Sequence, residues 1–175
     1  MTIFPICDVP YDPDLYNIES STYHGDLIVT NTTLSTLVGF PEYVYGSVNI
    51  SRTQITSLLG CPEYIELGLS CNENNLSSLD NCPKRCPKMY FLKSNIIDIS
   101  YIVNCDIKPS IITISYYENL AILPSISRNF VIKDNYLLNG ILQKFKSEEM
   151  TKENIVKYQN ELIENGFESN ARWVP

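Results

Sequence analysis

Histidine is almost missing from this chain. Of 175 residues only His24 carries an imidazole, so no Ser-His-Asp or Cys-His arrangement is possible unless it centres on that residue. Glycine is scarce, at seven, and neither a Gly-x-Gly-x-x-Gly nor a P-loop spacing occurs, so the motifs that cradle phosphates are lacking. No run of eighteen apolar residues exists to cross a membrane as a helix. The opening residues, Met1 to Ile6, have neither a basic start nor a sustained apolar run; a signal peptide is not expected, and a reducing cytosol is the expected compartment. Basic residues are nearly absent from the first half: residues 1–83 hold Arg52 alone against ten acids, whereas residues 84–139 hold seven bases and four acids. An acidic half argues against a nucleic-acid partner. The one basic concentration, Lys84, Arg85, Lys88 and Lys93, reads either as a solvated face or as a contact for an acidic partner.

What is present in quantity is hydrophobic side chain, 44% of the total, with only 19% charged; this is the balance of a folded domain. Between Asp26 and Pro83 these side chains recur every twenty-one residues. Leu27, Val48 and Leu69 correspond, as do Val29, Ile50 and Cys71; Leu34, Ile55 and Leu76; and Leu37, Leu58 and Leu79. Each unit ends in Phe40-Pro41, Cys61-Pro62 or Cys82-Pro83. A fixed period of this size is the mark of a solenoid. Within a unit, as in Gly68-Leu69-Ser70-Cys71-Asn72, apolar and polar positions alternate, which predicts a half-buried strand. The next apolar positions, as in Leu76 and Leu79, follow at spacings that suit an arc curling over the core, with Asn74-Asn75 at the bend. Twenty-one residues leave no room for a full helix opposite the strand.

The order leucine-x-leucine-x-x-asparagine-x-leucine-x-x-leucine resembles the leucine-rich repeat. The form with Ser-Leu before a Gly-Cys-Pro or Asn-Cys-Pro corner is similar to short repeats of bacteriophages and other large DNA viruses. The expected fold is therefore a mainly β, α/β repeat solenoid of that kind, right-handed, with a parallel sheet. Residues 1–25 are expected to form an N-terminal cap, 26–138 five or six rungs, and 139–175 a C-terminal helical cap. Tyr90 to Ile97 is read as continuing the step of twenty-one from Leu69; Ile112-Thr113-Ile114 and Phe130-Val131-Ile132 as stretched and shortened rungs. In the cap, Thr151 is a good helix N-cap, Ile155, Tyr158, Leu162 and Ile163 share one face, and Asn165-Gly166 stops the helix.

The six cysteines follow from compartment and position. In a cytosol they are thiols or metal ligands rather than disulfides, and Cys61, Cys71 and Cys82 stand where other units place Phe, Val and Ile, so they are expected as core groups. The metal alternative would join Cys82 and Cys86 to Cys71 and Cys105, with spacing poor for zinc. No cofactor is expected. The acidic pairs Asp12/Asp14 and Glu148/Glu149 read as solubility features.

Solenoids work through their surfaces. Strands stacked in register present one outward column of Ile28, Asn49, Ser70, Phe91, Thr113 and Val131, and a second of Thr30, Ser51, Asn72, Lys93, Ser115 and Lys133. From these columns Phe91, Lys93, Asn72, Thr113, Ser115 and Lys133, joined by Tyr90, Tyr116 and Tyr117, are the expected protein-binding residues. Tyr43 and Tyr64, which repeat by twenty-one, are expected to pack in corners; Tyr45 does not repeat and is a better interface residue. The viral resemblance implies a non-enzymatic protein that binds a host protein and inhibits or redirects it, a defence factor for instance. The alternatives are a self-associating virion or assembly component, and a partner site within residues 140–175 that includes Trp173. Membranes are not expected partners, and the oligomeric state stays open.

Overall fold

The computed structural model describes residues 21–101, 111–116, 120, 130–145, 148 and 151–171. Residues 1–20 of the cap expected over 1–25, together with Cys105, Tyr117, Glu149 and Trp173, lie outside the described residues.

The repeat folds as a parallel β-solenoid of about four turns followed by two helices. Six short strands build a larger sheet: β2 (Leu27–Ile28), β4 (Ser47–Asn49), β6 (Gly68–Ser70), β7 (Lys88–Phe91), β8 (Ile111–Ser115) and β9 (Phe130–Lys133), stacked in that order. A second sheet of three parallel strands precedes it in the first three units, formed by β1 (Thr22–His24), β3 (Tyr43–Tyr45) and β5 (Tyr64–Ile65). Sequence reading had foreseen one sheet. The second arises because Tyr43-Val44-Tyr45 alternates like any strand, with Val44 and Ile65 facing inward and fully buried. The β1 strand lies inside the segment expected as cap and pairs Thr22 with Tyr43 and His24 with Tyr45.

A single residue, Gly46, separates β3 from β4. A side chain there would overlap the Gly25 carbonyl of the preceding rung, so one corner sits directly on another. Gly60 serves the next corner: it has φ 86°, and a Cβ would lie 2.6 Å from the Leu37 carbonyl carbon. Gly39 and Asn81 hold the equivalent left-handed position one unit before and after.

The core is a stack of layers. Leu27, Val48, Leu69, Met89, Ile112 and Phe130 align through the strand pairing, and all are buried. Leu37, Leu58, Leu79 and Ile99 close the opposite wall, all at 0% exposure. The arc between is pinned by repeated short-range bonds, in which the Thr36, Ser57 and Ser78 hydroxyls accept from the amides of Val38, Leu59 and Asp80. Cys71, Cys82 and Cys86 are buried and Cys61 is half-buried, none of the four in a disulfide, in the apolar positions the repeat assigns them.

Asn74 is not at the surface bend. It is 4% exposed, and its Oδ1 accepts from the Thr53 amide at 2.8 Å. Its Nδ2 donates to the Ile50 carbonyl at 3.0 Å and to Cys71 Sγ at 3.1 Å. The bend itself falls one residue earlier, on a column with left-handed backbone: Asn31, Arg52, Glu73, Lys93 and Asp134, with φ of 54–66°.

The third step of the repeat is twenty residues, not twenty-one. Leu69 pairs with Met89 and Ser70 with Tyr90, because the chain from Cys86 to Met89 is one residue shorter than that from Ile65 to Leu69. With a side-chain period of two, this slip exchanges inside and outside along the strand. Phe91, expected on the surface, is fully buried beside Cys71 and Ile114, while Tyr90 takes its outward place.

After β9 comes α1 (Tyr136–Phe145), burying Leu138, Ile141, Leu142 and Phe145. It covers the last strand: Asn139 Oδ1 accepts from the Ile132 amide and Gln143 Nε2 donates to the Phe130 carbonyl. The second helix, α2 (Lys152–Glu164), starts at Thr151, whose hydroxyl accepts from the Asn154 amide, and ends at Gly166 with φ 81°. Tyr158 and Leu162 are its buried side chains, Ile155 is half-buried, and Ile163 is exposed. Among the described residues no helix is long and apolar enough to cross a membrane.

Candidate protein-interaction surface

The outward face of the larger sheet offers less than its columns promised. Its first column is Ile28, Asn49, Ser70, Tyr90, Thr113 and Val131. Only Ile28 is exposed and Thr113 is buried. In the second column the polar side chains spend their oxygens within the fold. Asn72 Oδ1 accepts from the Leu92 amide at 2.7 Å, Ser51 Oγ from the Asn72 amide, and the buried Ser115 Oγ from the Lys93 amide at 2.9 Å. Thr30, Ser51 and Asn72 edge a depression of about 280 Å³, walled largely by these engaged groups.

The expected binding residues therefore do not form one surface. Phe91, Thr113 and Ser115 are buried. Asn72 and Tyr90 are half-buried on the face, and Lys133 is exposed near its end. Tyr116 packs edge-on against Phe167, ring centres 6.4 Å apart, so its ring helps seat the C-terminal segment. Lys93 belongs to the left-handed column rather than to the face, and its ammonium shares Glu73 with Arg52, both at 3.4 Å. The hydrogen bond from Arg52 is the main reason the Glu73 carboxyl sits below its ordinary pKa. The basic cluster is likewise divided: Lys84 pairs with Glu63 at 2.7 Å, and Arg85 lies over a tyrosine ring.

That ring belongs to the surface the smaller sheet presents. Inward residues of β1, β3 and β5 alternate with outward aromatic ones, and parallel register stacks the outward ones. His24 lies on Tyr45 with ring centres 5.0 Å apart and planes within 9°. Tyr45 meets Tyr64 at 5.5 Å, and Tyr64 meets Tyr43 at 6.3 Å. The Arg85 guanidinium caps Tyr64 at 5.3 Å, an arrangement favoured by the negative face of the ring. Tyr43 and Tyr45 are 38% and 43% exposed and His24 is exposed. Tyr43 and Tyr64 thus line a surface strip rather than packing in corners. Glu42 accepts a hydrogen bond from Tyr43, and this is the chief cause of that phenol's raised pKa. Glu66 occupies the place in the third rung that His24 and Tyr45 hold in the first two, and it is exposed.

The leucine phase of the repeat hides this strip. Its signal was available in the alternation Glu42-Tyr43-Val44-Tyr45 and its echo Glu63-Tyr64-Ile65. Among the described residues no group of three or more His, Cys, Asp and Glu side chains gathers where it could hold a metal ion. No protein-family profile matches the chain, and no curated protein or solved structure matches it.

Proposed function

We propose that this protein is a non-enzymatic binding module that recognises another protein through the aromatic strip of its smaller sheet. The observation that carries this reading is the stack of exposed His24, Tyr45 and Arg85 about half-buried Tyr64, flanked by exposed Tyr43. Folding gains little from leaving such rings in water, whereas tyrosine and arginine supply much of the binding free energy at protein interfaces. The rings restrain one another before any partner arrives, which lowers the ordering cost of association. The resemblance to short viral repeats supports the narrower reading that the partner is a host-cell protein, blocked or redirected by the contact.

A photo-crosslinking amino acid in place of Tyr45 tests the site. Exposed in cells or lysate of the host, that variant is expected to give a discrete protein adduct. The same group in place of Val156, exposed on α2, is expected to give none. Adducts from position 156 alone would move the site to the C-terminal helices.

A further inference from the structure

A depression of about 320 Å³ opens at a corner of the solenoid, bordering the aromatic strip where Glu42 meets Tyr43. Resting on the protein-binding reading, we infer that it receives a tryptophan side chain of the partner, with a basic residue beside that tryptophan.

The repeat explains the depression. Each unit turns its corner on the same hydrogen bond: the amides of Phe40, Cys61 and Cys82 donate to the carbonyls of Leu37, Leu58 and Leu79. Equivalent positions thus stand in three successive rungs, and only the first carries a ring. Cys61 and Cys82 are smaller, and the space two further rings would take stays open to solvent. A second ring closes the far end, because the pairing of Ser78 with Asp98 places Tyr101 one rung beyond Asn81. All four side chains line the depression. Phe40, Cys61 and Tyr101 are half-buried against the core and Cys82 is buried, so the fold itself holds the walls and floor. Leu59, 59% exposed, forms an apolar lip.

Size and chemistry select the occupant. Rungs are about 4.8 Å apart, so Phe40 and Tyr101 stand about 14 Å apart along the axis. A ring set midway lies about 7 Å from each, at the outer limit of aromatic pairing. One phenyl ring spans that gap poorly, whereas the fused rings of an indole extend toward both ends. The floor is two thiols, whose polarisable sulfur suits an aromatic neighbour. Burial raises the Cys61 pKa well above the usual thiol range, so this floor stays uncharged at neutral pH. Glu42, Glu63 and Lys84 follow one another along the rim, one per rung. Lys84 pairs with Glu63 at 2.7 Å, while the hydrogen-bond partner of Glu42 is a neutral phenol. The rim therefore carries one net negative charge, which attracts a basic neighbour of the tryptophan and repels an acidic one.

Amide NMR of the intact chain, titrated with blocked dipeptides, tests this. Acetyl-Lys-Trp-amide is expected to shift the Gly60 and Asn81 amides saturably. Acetyl-Lys-Leu-amide and acetyl-Glu-Trp-amide are each expected to bind about fivefold more weakly or worse. Cys61→Phe places in the second unit the ring that Phe40 supplies in the first; it is expected to abolish binding without lowering the denaturation midpoint. Leu59→Asp, at an exposed position, is a second variant, expected to weaken binding about tenfold. Unmoved Gly60 and Asn81 amides, equal affinity for the leucine dipeptide, or binding that survives both substitutions overturns the inference. A protein adduct at Tyr45 with no dipeptide binding overturns the pocket while leaving the strip; dipeptide binding with no adduct supports the pocket and overturns the strip.

Discussion

Asn74 shows what a single side chain contributes here. Its carboxamide ties three consecutive features together: the Thr53 amide of the rung before, the Ile50 carbonyl, and the thiol of Cys71. Each of these groups is buried, so removing the carboxamide leaves the Thr53 amide without its acceptor and the Ile50 carbonyl with the Thr53 hydroxyl alone. Asn74→Ala is expected to cost about 2–4 kcal/mol, read as a drop in the urea midpoint at constant slope. Cys71 makes a separate, pH-dependent contribution. Burial raises its pKa from the ordinary 9.0 to about 12, against a smaller lowering by the hydrogen bond from Asn74. Above pH 9 the unfolded chain loses this proton while the folded chain keeps it, so stability is complete below pH 9 and declines as pH rises toward 12. The denaturation midpoint is expected to fall over that window, and Cys71→Val is expected to flatten the fall; an unchanged slope would mean other groups dominate. The left-handed column is costly in the opposite sense. Arg52, Glu73 and Lys93 adopt a backbone that L-residues disfavour by about 1–2 kcal/mol each, and their exposed ion pairs recover little of it.

At the scale of the strand and the turn, the most telling residue is Phe91. The leucine phase, the arcs and the helix caps at Thr151 and Gly166 were legible in the sequence, because each rests on local spacing or on one residue's backbone preference. The placement of Phe91 was not. Tyr90-Phe91-Leu92-Lys93 alternates equally well in either phase, and only the missing residue between Cys86 and Met89, which shifts the pairing with Leu69, decides which side faces the core. The larger sheet's face is hard to read for a related reason: Asn72 and Ser115 look like free polar groups in a sequence, and only the stacking of rungs shows their oxygens engaged by a neighbouring turn. Phe91→Ala is therefore expected to destabilise the fold by about 3–5 kcal/mol, whereas Lys93→Ala stays within about 0.5 kcal/mol. Chemical denaturation of the two variants side by side checks the register directly, since a surface Phe91 would make the first substitution nearly neutral.

For the whole molecule, the solenoid has an end that must be closed. The last strand, β9, is covered by α1, which supplies a side-chain acceptor and a side-chain donor to the Ile132 amide and the Phe130 carbonyl. An uncovered parallel edge would template pairing with another chain. Removing residues 135–175 is expected to turn the protein into concentration-dependent oligomers by light scattering. Restoring α1 alone is expected to recover much of the monomer, because α2 packs on α1 through the Phe145–Tyr158 contact rather than on the strand.

The even step between the first three units has a further consequence, which belongs to inheritance rather than to folding. Tyr43 and Tyr64, Asp26 and Ser47, and Arg52 and Glu73 each meet across one unit. A segment of DNA encoding one unit is thus a self-contained part: duplicated in frame, it adds a rung whose contacts above and below are already specified by its neighbours. Such an event would lengthen the aromatic strip by one step without redesigning the core. The reach of this surface is a quantity that copy number alone can tune.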